Sequence, residues 1–448
     1  MALLGWLVAL AYKKISRKDV IALAPAFAVG MLIFFKYDKF LLFFDFVRGF
    51  IVKPEILWVV CALGIVFLTY KLSNKRQYAH AFVKFFIIIS FFYQSGVIVN
   101  DIFEEQNSNV VVKKRAINKA NLDFKFVQKP NIYYILVDRY MRQDTLLELF
   151  KYDNSEFLKN LEELGFSVSR TAFSNYHFTL PSVAATMNME YHKHDSVEKS
   201  ALNSLNKGDN NVNKVLIKNG YKIIHMPSVW GDLACVDNAD KCIYQCEKAN
   251  VEIYRSFLDI TPLKHFGFCY IEPKAILDTK SDFEGKPKFV FLHLAQVHDF
   301  ICNGPVIDSF CGYISSVKMM NDKLKQTVTD LLKYDKNCII VIQADHGVGN
   351  PSGDPFNATF NLSGFGKNIH RHWYGILSAV YVSPGIIGKD KLDQYFSGKF
   401  SLVNVFRMLF STLSGKKAEL LPDKSLLMYG PKGAQVIDIS YFNKWGKK

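Results

Sequence analysis

Cys338-Ile339-Ile340-Val341-Ile342-Gln343-Ala344-Asp345-His346-Gly347 is an apolar, β-branched run that ends in a carboxylate, an imidazole and a glycine. A continuous apolar run, rather than an alternating one, is what a strand buried on both faces of a parallel sheet requires. Ile132-Tyr133-Tyr134-Ile135-Leu136-Val137-Asp138 repeats the design earlier in the chain. Open α/β sheets place their ligands in the crevice beyond the carboxyl ends of the strands, so Asp138 and Asp345 are both read as emerging there. Between the two runs lies Asn175-Tyr176-His177-Phe178-Thr179-Leu180-Pro181-Ser182, with a hydroxyl, Thr179, ahead of a helix read to begin near Pro181. Asp138, Asp345 and His346 suit a divalent cation, and a hydroxyl held beside such an ion can ionise near neutral pH and act as a nucleophile. Each residue alone has a plainer role open to it: Asp138 as a turn former, Thr179 as a helix cap. The cap and the site are compatible, because a helix N-terminus favours an anion beside Thr179.

Working outward, residues 106–130 read as a polar linker, and strands then alternate with helices. Phe157, Leu158, Leu161 and Leu164 share one helical face closed by Gly165. A short helix is expected over 214–219, with strands over 221–226 and 289–294. Ile314, Val317, Met320, Leu324, Val328 and Leu331 have helical spacing and lead straight into the Asp345 strand. A further strand is read over 376–382 and a helix over 402–413. The fold expected is α/β: a mostly parallel sheet with helices on both faces, over residues 131–430. Residues 431–448 read as a basic tail with Lys444, Lys447 and Lys448.

The first hundred positions have a different character. Half of the 448 residues are hydrophobic and 38 are Phe, with the excess concentrated in residues 1–105. Apolar segments over 2–12, 20–35, 56–70 and 79–99 alternate with charged loops, and three or four transmembrane helices are expected. The stretch 39–52 carries Asp45 and Arg48 and is read as interfacial. Lys13, Lys14, Arg17 and Lys18 form one basic loop and Lys71, Lys75 and Arg76 another, whereas Asp101, Glu104 and Glu105 follow the last apolar segment. The positive-inside rule then puts both basic loops in the cytoplasm and the catalytic half outside. A net charge of +14 fits an anionic membrane surface or an anionic lipid donor. No nucleic-acid module is present to suggest that partner. Of 8 cysteines, Cys235, Cys242 and Cys246 lie close together, as do Cys302 and Cys311; an oxidising compartment would let such neighbours pair.

Taken together, the chain resembles the sulfatase-like branch of the alkaline phosphatase superfamily, and within it the membrane-anchored lipoteichoic acid synthases and phosphoethanolamine transferases. The matching pieces are Val137-Asp138-Arg139-Tyr140 with Asp144, Gly165-Phe166, Ser174-Asn175-Tyr176 with Thr179, Met187-Asn188-Met189, His293 and His298, and Asp345-His346-Gly347. Val403-Asn404-Val405-Phe406-Arg407 and Leu420-Leu421-Pro422-Asp423 resemble the C-terminal end of the same family. The resemblance implies an alkaline-phosphatase-like fold and a metal shell of Asp138, Thr179, Asp345 and His346 holding one or two ions, Zn or Mn. It implies Thr179 as nucleophile, His298 as the residue that meets the phosphoryl group or protonates the leaving group, and His293 and Asn175 as further substrate residues. His298, His370 and His372 stand where a second metal or phosphate would be met. The partners implied are an anionic phospholipid donor and an envelope glycan or lipid acceptor, on the outer face of a multi-pass inner-membrane protein. The alternatives are a phosphodiester or sulfate ester hydrolase, or a catalytically silent glycan-binding membrane protein of the same fold. Sulfatases mature a Cys or Ser within Cys/Ser-x-Pro-x-Arg, whereas this chain has Thr179-Leu180-Pro181-Ser182-Val183, without the convertible residue or the arginine.

Overall fold

The two acid-tipped runs form neighbouring strands at the centre of one sheet. The computed structural model describes residues 63, 123–192, 207–228, 233, 235–244, 271–297, 312–348, 367–398, 400–429 and 435–440. The chain divides into two compact units, Met1–Ile117 with Glu247–Phe268 and Asn118–Cys246 with Cys269–Lys448, and all described residues but Leu63 belong to the second. Its strands are β1 (Asn131–Val137), β2 (Ser167–Val168), β3 (Lys222–Met226), β4 (Lys241–Cys242), β5 (Lys288–Leu294), β6 (Cys338–Gln343) and β7 (Ser378–Val382), in sheet order β2-β7-β6-β1-β5-β3-β4. β1 runs parallel to both β5 and β6, with Leu136 opposite His293 on one side and Gln343 on the other. Asp138 and Asp345, each two residues beyond that rung, therefore leave the sheet at the same level.

The α-helices among the described residues are α1 (Gln143–Phe150), α2 (Ser155–Glu163), α3 (Thr179–Asn188), α4 (Asn211–Lys218), α5 (Tyr313–Tyr334), α6 (Lys367–Tyr374), α7 (Lys389–Phe396) and α8 (Val405–Ser414). α5 buries the expected stripe: Val317, Met320, Leu324, Val328 and Leu331 have no exposed surface. α2 buries Phe157, Leu158 and Leu161 and ends in a left-handed Gly165 (φ +94°), whose N–H returns to Glu162 O. α8 seals the sheet with aromatic rings, Phe406 lying 5.3 Å from Tyr134 at 87° and Phe410 5.2 Å from Phe126. Each ring buried in this way contributes about 1.5–3 kcal/mol, which fixes the central strands more firmly than the short edges.

The expected strands and helices are present with ends shifted by a residue or a few, and the sheet is mostly parallel. β7 runs antiparallel to β6, because the chain re-enters from the end at which the acids emerge, through α6. The helix expected from 402 opens as a 3-10 turn, Leu402–Asn404, before α8. Residues 435–438, within the stretch read as a tail, pair with β8 (Leu426–Tyr429) as the antiparallel strand β9 (Gln435–Asp438). Cys235 and Cys242 are disulfide-bonded, and Cys338 is a buried free thiol. Among the described residues no helix is long and apolar enough to cross a membrane. The four apolar segments of the first hundred residues, apart from the helical Leu63, lie outside the described residues.

Candidate metal centre and nucleophile

Beyond β1 the chain turns sharply at Arg139, which takes a left-handed conformation (φ +62°) while the Asp138 N–H donates to Leu294 O at 2.9 Å. Beyond β6, Asp345 accepts two backbone N–H groups on Oδ1, from His346 at 2.9 Å and from Arg139 at 3.2 Å. Its Oδ2 accepts no hydrogen bond although it is buried. α3 brings the hydroxyl. Ser182, in its first turn, donates from Oγ to Asp345 O at 2.7 Å, tying the helix N-terminus to the end of β6. Thr179 Oγ1 then lies 3.2 Å from His346 Nε2 and 3.5 Å from Asp138 Oδ2.

The imidazole closes the set. His346 Nδ1 is 2.6 Å from Gly347 O, and a carbonyl can only accept, so Nδ1 carries a proton and the neutral ring would present its lone pair at Nε2. That lone pair faces Asp138 Oδ1 at 3.6 Å and Asp345 Oδ2 at 3.5 Å. Asp138, Asp345 and His346 offer ligand atoms that all lie within 4.8 Å of one another, and all three residues are buried. Donors bound tetrahedrally at about 2.0–2.2 Å from an ion stand about 3.3–3.6 Å apart, close to the separations of His346 from Thr179, Asp138 and Asp345 and of Thr179 from Asp138. Two carboxylates, a hydroxyl and an imidazole lone pair converging out of water repel one another unless a cation lies between them. The residues present thus fit a divalent ion.

The surroundings keep the donors in place. Gly347 allows the end of α6 to approach: a Cβ there would lie 2.0 Å from His372 O, and the Gly347 N–H donates to Trp373 O at 2.7 Å. His177 stacks on Trp373, centroids 5.0 Å apart at 18°, two residues ahead of Thr179. Burial, and next the nearby His346, push the His177 pKa down to about 3, so this imidazole is neutral. His293, on β5, is wholly buried with Nε2 3.3 Å from Asp138 Oδ2. It stands behind the Asp138 carboxylate.

Other sequence candidates fall elsewhere. Asn175 is engaged by the chain itself, its Oδ1 accepting Val403 N–H at 2.7 Å and its Nδ2 donating to Lys424 O at 2.7 Å, so it staples the C-terminal segment to the loop before α3. His372 Nε2 lies 3.5 Å from Glu148 Oε1, and burial lowers its pKa despite that carboxylate. His298 and the side chain of His370 lie outside the described residues. The sequence reading missed Arg139, Ser182, His177 and Trp373. Only Arg139 carried a signal, its place directly after a strand-end acid; the others matter through contacts far apart in sequence.

A hydroxyl at a helix N-terminus lies beside one strand-end acid and an imidazole, and these with the second strand-end acid form a candidate metal site. The chain belongs to the sulfatase family, whose model matches residues 130–363, just over half of its 448 residues. No curated protein sequence matches it. Among solved structures it is similar to the C-terminal periplasmic domain of EptC from Escherichia coli, at 13% identity and a TM-score of 0.45, covering 71% of this chain and 95% of that one. It is also similar to lipooligosaccharide phosphoethanolamine transferase A (EptA), an integral membrane protein from Neisseria meningitidis, at 12% identity and 0.46, covering 81% and 76%. The lipoteichoic acid synthase LtaP from Listeria monocytogenes stands at 13% and 0.42, covering 71% and 79%.

Proposed function

We propose that this chain is a metal-dependent, membrane-anchored transferase. It moves a phosphoryl-linked group, of phosphoethanolamine or phosphoglycerol type, from an anionic membrane lipid to an envelope glycan or lipid, with Thr179 as nucleophile. The observation that carries the reading is the Thr179 hydroxyl at the fourth corner of the donor set, 3.2 Å from His346 Nε2 and 3.5 Å from Asp138 Oδ2. A bound divalent ion, Zn or Mn, would supply the charge that lets this hydroxyl ionise near neutral pH. Asp138, Asp345 and His346 are the remaining ligands. Ser182 and the N-terminus of α3 hold the nucleophile still, and the helix end favours the phosphoryl oxygens. In the first step the Thr179 Oγ1–P bond forms, the P–O bond to the lipid alcohol breaks, and the lipid leaves with a proton. In the second an acceptor hydroxyl gives up its proton, attacks phosphorus and releases Thr179. His298 is assigned, from its sequence context, to the phosphoryl oxygens or the leaving-group proton. A threonine at this place, with Val183 where the maturation arginine would stand, favours a phosphoester over a sulfate ester.

The membrane orientation belongs to the same proposal: residues 1–105 anchor the chain, and the sheet domain faces the extracytoplasmic side. A reporter active only outside the cytoplasm and fused after Lys448 is expected to be active; an inactive one reverses the orientation. For the chemistry, Thr179→Ala is expected to fold, keep its membrane location and lose cleavage of a phosphodiester, while Thr179→Ser retains a part because a primary alkoxide can still attack. Wild type should leave an aryl sulfate intact. Substantial turnover by Thr179→Ala excludes covalent catalysis at that residue, and sulfate release overturns the phosphotransfer reading. Inertness of wild type toward every phosphodiester points to a silent binding protein.

A further inference from the structure

The proposed centre depends on Asp345 Oδ2 being left for the ion while Oδ1 is held by the backbone. One of the two N–H groups on Oδ1 belongs to Arg139, a residue in a conformation that L side chains rarely adopt, at φ +62°. Such strain persists only where neighbours over-determine it. Two features could do so. The Arg139 side chain donates from Nη2 to Val348 O at 3.3 Å, which explains an arginine where a glycine would be relaxed, since it ties the turn to the segment after His346. The second feature comes from Tyr313, the first residue of α5, whose side chain is wholly buried. Its hydroxyl donates to Arg139 O at 2.8 Å and accepts the Met141 N–H at 3.1 Å, so one oxygen clamps both sides of the turn. The ring is packed at 5.2 Å from Phe150, which fixes where that oxygen sits.

We infer that Tyr313 is a positioning residue for the metal centre: its hydroxyl holds Arg139 in the left-handed turn, and the Arg139 N–H in turn aims the Asp345 carboxylate. Without the hydroxyl, the Arg139 carbonyl and the Met141 N–H lose a buried partner and the turn relaxes toward an ordinary conformation. The Arg139 N–H then leaves Oδ1, and Asp345 can rotate out of its ligand position. The ring itself never reaches the ion.

This inference rests on the metal-centre reading, and zinc binding by the purified full-length protein separates the two. Zinc alone is titrated into wild type, Tyr313→Phe, Arg139→Gly and the double variant, each first shown to unfold cooperatively. Tyr313→Phe keeps the packing against Phe150 and is expected to raise the zinc Kd about 10- to 100-fold, the usual cost of losing support to a ligand. Glycine takes the turn without strain, so in the Arg139→Gly background the same substitution should raise Kd far less; this coupling is a signature that general loosening would not give. A Tyr313→Phe protein that binds zinc as wild type does, or an equal rise in both backgrounds, overturns the inference alone. Wild type that binds no zinc removes the metal centre and the inference with it.

Discussion

The two carboxylates leave adjacent strands at the same level, yet the groups around them differ. Asp345 is aimed by the backbone, through the N–H groups of His346 and Arg139 on one oxygen. Asp138 is surrounded by side chains: His346 near Oδ1 at 3.6 Å, His293 near Oδ2 at 3.3 Å, and the Thr179 hydroxyl at 3.5 Å. One carboxylate is therefore aimed by the course of the chain. The other has the His346, His293 and Thr179 side chains about it. The difference teaches that, in the proposed centre, the Asp345 end is oriented by backbone N–H groups while the Asp138 end is bordered by side chains from three other segments.

The largest effect should come from removing each acid in turn. Asp345→Ala and Asp138→Ala are both expected to abolish most zinc binding, but they should part in the metal-free protein. Asp345→Ala strands two buried N–H groups and should lose about 1–3 kcal/mol of stability, whereas Asp138→Ala should lose less, because removing it also relieves crowding among like donors. Chemical denaturation in a chelator checks this; equal losses would erase the contrast. Gly347→Ala attacks the Asp345 end from outside, since its Cβ would meet His372 O at 2.0 Å. A loss of about 1–3 kcal/mol together with weakened zinc binding is expected, and a neutral thermal melt would count against the close approach of α6. At the far edge of the sheet, Cys235→Ser opens the bridge to Cys242 and should cost about 2 kcal/mol while leaving the zinc Kd alone. A weakened Kd there would mean that the strand ends are not locally held.

The effect expected to show least near neutral pH is on acid stability. Burial lowers the pKa of His192 to about 4 and that of His225 to about 3. The unfolded chain, near 6.5, binds more protons than the folded one in the window between. The stabilising contribution is thus complete above about pH 6.5 and is lost as pH falls toward about 4, at up to about 1.4 kcal/mol per pH unit for each group. His192→Gln should flatten the slope of denaturation midpoint against pH; an unchanged slope would show that His192 is protonated in the folded state.

How far the sequence carried can be seen in the same two strand ends. The runs to Asp138 and Asp345 were legible because a strand buried on both faces must be continuously apolar, and the acid at its tip breaks that rule visibly. His346 was legible from its place beside Asp345, and α5 from its 3.6-residue stripe. What stayed hidden depends on register and on contacts across the fold. Tyr313, Ser182 and Trp373 look like ordinary interior residues until α5, α3 and α6 are placed against the strand ends. Asn175 is read from the sequence as a substrate residue, and nothing local shows that Val403 N–H and Lys424 O will reach it. The antiparallel β7 was hidden for a related reason: an apolar run announces a buried strand but not its direction.

The central claim is that the Thr179 hydroxyl, placed by α3 beside Asp138 and His346, carries the transferred group. Intact-mass and peptide mass spectrometry of the metal-loaded, full-length protein, after exposure to membrane lipid and acid quenching, tests it directly. The account predicts a covalent phosphoryl-linked adduct on the peptide that contains Thr179, absent from Thr179→Ala and from Asp345→Ala, with a mass that identifies the group moved. An unmodified Thr179 peptide in an enzyme that is turning over phosphodiester, or an adduct that persists in Thr179→Ala, would contradict it.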